Sequence, residues 1–140
     1  MILNSSENIK IGTVDVEAVY IGSVPVWLSV ADEVYQLHSS SSFTDEGQTV
    51  TITLSTENVD IGTSIPYTIT GVASDDIDGA PLTGNFVVGE VFPHTFPIAL
   101  GSEITLNVTA DFITEGEETL TLTLDNSEAD IDIIINDTSV

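Results

Sequence analysis

The residues in this chain able to do chemistry are almost all carboxylates. Twenty-three acidic residues stand against one basic residue, Lys10, in 140 residues, a formal charge of −22. Glu115, Glu117 and Glu118 form one acidic run, and ASDDIDG (73–79) forms another. Paired carboxylates are the machinery of glycosidases. A glycosidase also needs an aromatic groove for sugar, and the chain has one Trp and three Tyr. The Glu run reads instead as a turn followed by the first residues of an exposed strand. His38 and His94 lie far apart, with no metal-ligand spacing to another His. Nucleophilic catalysis needs an activated nucleophile and an oriented base, and no Gly-x-Ser-x-Gly turn occurs. Both histidines read as surface or interface residues. No phosphate-binding Gly-rich motif is present, and one Lys without any Arg leaves no cationic clamp for anionic substrates. The absence of cysteine excludes a disulfide scaffold and thiolate metal sites. What carboxylates do unaided is gather a hard cation, since Ca²⁺ takes about six to eight oxygen ligands.

The elements that must position these groups are strands. Val50, Ile52 and Leu54 alternate with Thr49, Thr51 and Thr53. The same period of two recurs at Val34–Leu37, Tyr67–Ile69, Phe86–Val88, Ile104–Val108, Leu120–Leu124 and Ile131–Ile135. Each such run buries one face and wets the other, and Thr on the wet face suits a pleated surface. Ser39–Ser42 reads as a polar connector. About seven short strands separated by Gly, Asp, Asn and Ser predict an antiparallel sandwich. Any helix is expected to be a short turn near Ser74–Ile77.

The first 30 residues follow another rule. IKIGTVDV (9–16) and VYIGSVPV (19–26) are two copies of one pattern, ten residues apart. A strand–Gly–strand repeat of this kind predicts a small β-ribbon or a pair of stacked hairpins. Two copies cannot bury a core alone, so the segment must lean on the main domain, a sister subunit or a partner. Residues 1–30 are therefore expected to dock or oligomerise, and 31–140 to form the sandwich. The expected interface residues are Ile9, Ile11, Tyr20, Ile21, Val26 and Trp27. For Tyr20 and Trp27 two readings stay open: interface anchors, which aromatics often are, or caps on the outside of the sandwich core.

Composition also bounds the partners. Hydrophobic residues make up 41% of the chain, which argues against disorder. A charge of −22 excludes nucleic acid and anionic membrane as expected partners. No apolar run approaches the roughly 18 residues of a membrane span, and the polar start lacks the apolar core of a secretory signal. The expectation is a soluble protein made without a signal of its own. Asn107-Val-Thr109 and Asn136-Asp-Thr138 match the glycosylation sequon, here expected to be chance on Thr-rich strands.

Three stretches resemble the Calx-beta domain family. FTDEGQTVTITL (43–54) is similar to that family's opening strands. VTADFITEGEETLTLTL (108–124) is similar to its most recognisable segment, an Asp, a Glu-Gly turn and a Glu leading an alternating strand. IDIIINDTS (131–139) resembles its final strand and closing turn. The resemblance covers residues 34–140 and implies an all-β, antiparallel, immunoglobulin-like sandwich. Two places depart from the family. GVASDDIDGAPLTGNF (71–86) replaces a Gly-Thr-Ala run ending in Asp-Tyr, and only Asp137, after Asn136, remains of the closing aspartates. In family members that bind calcium, acidic residues converge from loops at one end. The matching positions here are Glu46, Asp111, Glu115 and Asp137, with Asp75, Asp76 and Asp78 added from the divergent stretch. The other reading of these acids is a solvated rim that keeps the protein soluble.

VYIGSVPVW (19–27) resembles N-terminal pieces of bacteriophage virion structural proteins. That resemblance implies a non-enzymatic particle component: a capsid decoration (cement) protein or short fibre subunit on the outer surface of the virion. Its partner would be a capsid or tail protein, and the chain itself a homo-oligomer, with a trimer favoured. The rival expectation is a calcium-dependent adhesion module recognising a host surface or carbohydrate.

Overall fold

The computed structural model describes residues 32–92, 99–114 and 116–138, and the backbone of 9–11, 14–16, 18–21 and 24–27; for 90–92 and 99 the backbone alone is described. The chain divides into two compact units, Met1–Asp32 and Glu33–Val140.

In the first unit, β1 (Ile9–Ile11) pairs with β2 (Val14–Val16), and β3 (Ala18–Ile21) with β4 (Val24–Trp27). Each pair is an antiparallel sheet of two strands. Ile11 pairs with Val14 and Ile21 with Val24, and the sequence between them is Gly-Thr in one copy and Gly-Ser in the other. Gly leading a two-residue connection is the composition that tight hairpins favour. The sequence repeat is thus a structural repeat, one hairpin per copy.

The second unit is all-β and built from two sheets. Its strands are β5 (Val34–Ser39), β6 (Phe43–Asp45), β7 (Thr49–Glu57), β8 (Ser64–Thr70), β9 (Thr83–Val87), β10 (Gly89–Phe92), β11 (Ala99–Asn107), β12 (Glu118–Leu124) and β13 (Asp130–Asn136). One sheet has the order β10-β11-β7-β5, the other β6-β13-β12-β8-β9. The helical structure among the described residues is one 3-10 turn, Asp75–Ile77.

The alternating runs fall on strands with their apolar residues inward. Val50, Ile52 and Leu54 of β7 face Ile65, Tyr67 and Ile69 of β8, Phe86 of β9, Leu120, Leu122 and Leu124 of β12 and Ile133 and Ile135 of β13 in one buried cluster. Ile77 of the 3-10 turn closes that core and is 1% exposed. Outside, Thr49, Thr51 and Thr53 stand opposite Asn107, Thr105 and Glu103. Each pair is hydrogen-bonded through its side chains, the cross-strand contact that stabilises a wet sheet face.

Two features differ from a plain seven-stranded antiparallel sandwich. The described strands of this unit number nine, because Phe43–Asp45 and Gly89–Phe92 each add a short one. The pairing of β6 with β13 is parallel. The extra strand β6 and its parallel pairing follow from the serine connector. β5 pairs with β7 in one sheet; the chain then crosses, and β6 lies on β13 in the other. Serine suits the crossing because its hydroxyl substitutes for missing ladder bonds. Ser40 Oγ accepts the N–H of Thr51 at 3.1 Å, Ser39 Oγ donates to the carbonyl of Ser41 at 2.7 Å, and Ile134 N–H reaches the carbonyl of Ser42 at 3.0 Å.

Pro66 lies inside the five-stranded sheet, where proline is normally excluded. It is tolerated because the β12 ladder ends at Leu124, opposite Tyr67. Past that point Asp125 N–H still donates to the Pro66 carbonyl at 2.9 Å, a bond that does not call on the N–H proline lacks.

Candidate functional site

Four segments meet at one end of the second unit: the β6–β7 turn, the 3-10 segment, the start of the β11–β12 loop and the end of β13. Backbone bonds join them. Glu46 N–H donates to the Asn136 carbonyl at 3.3 Å, Gly47 N–H to Val108 at 3.0 Å, and Thr109 N–H to Asp76 at 2.8 Å. Thr109 is the rivet: its hydroxyl donates to the Asp75 carbonyl and accepts the N–H of Asp78. Among the described residues, Glu46, Asp75, Asp76, Asp78, Asp111 and Asp137 therefore sit on neighbouring segments.

Their carboxylates are employed one by one as backbone acceptors. Asp76 Oδ2 takes the N–H of Ala73 at 2.6 Å, and Asp111 Oδ1 takes that of Ile113 at 2.7 Å. Asp137 Oδ2 takes Gly116 N–H at 2.9 Å. Glu46 Oε2 accepts from both the N–H and the hydroxyl of Thr138 at 3.3 Å. Asp75 is exposed and joins the cluster through its backbone carbonyl. Glu115 lies outside the described residues. Among the described residues, no three His, Asp or Glu side chains gather closely enough to hold a metal ion. The carboxylates of Glu46, Asp76, Asp111 and Asp137 thus work as loop clamps.

Asn136 has a local partner at this end. It is the register partner of Asp45, and its amide Nδ2 donates to Asp45 Oδ1 at 2.9 Å. An aspartate at 136 would set two carboxylates face to face, which like-charge repulsion penalises.

Sequence reasoning passed over Phe112. It is 98% exposed at the tip of the β11–β12 loop, with Ile113 beside it at 61%. The signal that could have found it is an apolar pair inside an otherwise polar, acidic turn. His38 is exposed on β5, opposite Thr53. His94 lies outside the described residues. Of the expected interface residues, Ile9 and Ile11 fall on β1, Tyr20 and Ile21 on β3, and Val26 and Trp27 on β4, with their side chains outside the described set.

Fold and site together define a two-sheet β module with an acidic, carboxylate-clamped loop end. No protein-family model, curated protein or solved structure matches the chain.

Proposed function

We propose that this chain is a non-enzymatic structural component of a bacteriophage particle, a capsid decoration protein or short fibre subunit on the outer surface. The N-terminal hairpins dock it on a capsid or tail protein or join it to sister copies, with a trimer favoured, and the acidic sandwich is carried outward. The supporting observation is the first unit itself. Its described sheets are two separate two-stranded hairpins of three- and four-residue strands. A two-stranded hairpin alone is marginal in water, so the repeat requires a surface to lie on. The sandwich we read as immunoglobulin-like and of Calx-beta type, supported by the crossing of the chain from β5 in one sheet to β6 in the other and by the parallel pairing of β6 with the last strand, β13.

The test is cryo-electron microscopy of the assembly that contains the chain. Density for residues 1–30 on a capsid or tail surface, at fixed stoichiometry, is the expected result. A free monomer with no association with particles would overturn it.

The second reading is a calcium-dependent binding module for a host surface or carbohydrate. The meeting of four acidic segments at one end favours it. Chelation discriminates: a calcium module loses binding and melts earlier in chelator, whereas a cement protein keeps its particle stoichiometry.

A further inference from the structure

Single exposed hydrophobes are ordinary on protein surfaces, but Phe112 differs from a stray side chain in how it is held. It is a large aromatic at 98% exposure, followed by Ile113 at 61%. The loop carrying it is tied on both sides and within. Thr109 fastens its start to the 3-10 segment. The Asp111 carboxylate closes a turn on the N–H of Ile113, directly around Phe112. The Asp137 carboxylate fixes the far side through Gly116. A restrained loop presents its tip with little ordering left to do on binding, the saving that preorganised anchors exploit. Aromatic anchors seated in pockets dominate interface energetics.

We propose that Phe112, with Ile113 beside it, is the anchor by which this loop end docks into an apolar pocket rimmed by Lys and Arg on a second, different protein. Charge selects that occupant. The tip is flanked by Asp111, Glu117 and Asp137, with Asp75, Asp76 and Asp78 on the segment bonded to Thr109. The sandwich, residues 33–140, contains no Lys or Arg, and the whole chain has only Lys10 against 23 acids. A second copy cannot neutralise this surface, and anionic lipid would repel it. A basic rim satisfies the acids while its pocket takes the ring, and like-charge competitors are rejected. This docking point belongs to the sandwich and stands independently of the docking assigned above to the N-terminal hairpins.

The test replaces Phe112 with photoreactive p-benzoylphenylalanine in the full chain. Val87, 57% exposed on β9, serves as the control position. After irradiation in the producing cells, adducts are mapped by mass spectrometry. The expected adduct joins position 112 to one heterologous protein, at a segment whose apolar residues are flanked by Lys or Arg. With that protein purified, Phe112→Ala weakens binding about thirty-fold. Phe112→Leu retains most of the affinity, and salt raised from about 0.05 to 0.5 M weakens the unmodified pair. Phe112→Ala should melt like the parent, because the ring is in water. An adduct to another copy of this chain or to lipid overturns the proposal. So does labelling no stronger than at position 87, or a Phe112→Ala variant that binds like the parent.

Discussion

The ring of Tyr67 occupies the space that a side chain on Gly84 would need. The two are register partners across β8 and β9. A Cβ on Gly84 would stand 2.4 Å from the Tyr67 hydroxyl oxygen and 2.6 Å from Cζ. The ring is not free to swing aside, since it is buried and packs on Phe86 with centroids 5.0 Å apart at a 51° tilt. Gly84→Ala is therefore expected to cost about 1–3 kcal/mol, the range for overpacking a core, read from urea unfolding. In a Tyr67→Leu background the same substitution should cost much less, and this coupling is what a double-mutant cycle isolates. Equal costs in both backgrounds would show that the ring does not press on position 84.

A second pair of glycines separates backbone strain from collision. Gly71 has φ +87°, and a Cβ there would lie 1.9 Å from the Thr119 carbonyl oxygen. Gly79 has φ +71° with nothing within 4 Å of the same point. Gly79→Ala should lower stability by about 1–2 kcal/mol, the cost of a left-handed residue with a side chain. Gly71→Ala adds a clash with backbone that cannot rotate away, and its melting temperature should fall much further. Similar melting temperatures for the two variants would contradict the register of β8 against β12.

Thr56 presents the opposite situation, a buried group with too little around it. It is 6% exposed, and its Oγ1 has no hydrogen-bond partner among the described residues. A desolvated hydroxyl left unpaired costs about 1–3 kcal/mol. Thr56→Val keeps the β-branched shape and removes that hydroxyl, so the unfolding midpoint should rise. A fall in the midpoint, without change in the slope, would mean that a bound water satisfies the oxygen.

Alkaline pH should unfold the sandwich through its tyrosines. Burial raises the pKa of Tyr67 above 10.0, the ordinary value. For Tyr35 the phenol's hydrogen bond to Glu33 is the largest cause of a rise above the same value, followed by burial. In the unfolded chain both phenols ionise near their ordinary pKa. Their contribution is therefore complete below about pH 10 and declines as pH climbs through the raised folded values. Unfolding followed from pH 8 upward should show this loss, and Tyr67→Phe should reduce it, whatever its effect at neutral pH. A decline unchanged in that variant would assign the alkaline transition to other groups.

The strands that carry the core were legible because their apolar residues alternate. Val50, Ile52 and Leu54, or Leu120, Leu122 and Leu124, name both the element and its inward face, and all six are buried. β6 was not legible as a separate strand for the opposite reason. It buries Thr44 at 7% and leaves Phe43 at 60%, inverting the polarity rule. Its place is set by the serine crossing and by β13, long-range constraints that a local pattern does not contain. The loop end was only partly legible. The acids lie at strand ends, and the topology brings those ends together. That Asp76, Asp111 and Asp137 spend an oxygen on Ala73, Ile113 and Gly116 depends on where backbone N–H groups point. A count of carboxylates says nothing of that.

The parallel contact between β6 and β13 also decides how the sandwich answers to force. Phe43, Thr44 and Asp45 run alongside Ile134, Ile135 and Asn136 in the same direction. Tension applied at the start of β6 and the end of β13 slides these strands past each other, so the rungs between them are strained together. An antiparallel pair gripped at its open end would instead unzip rung by rung. Load carried between the start of β6 and the end of β13 is thus met in shear, with all three rungs of the seam bearing it at once.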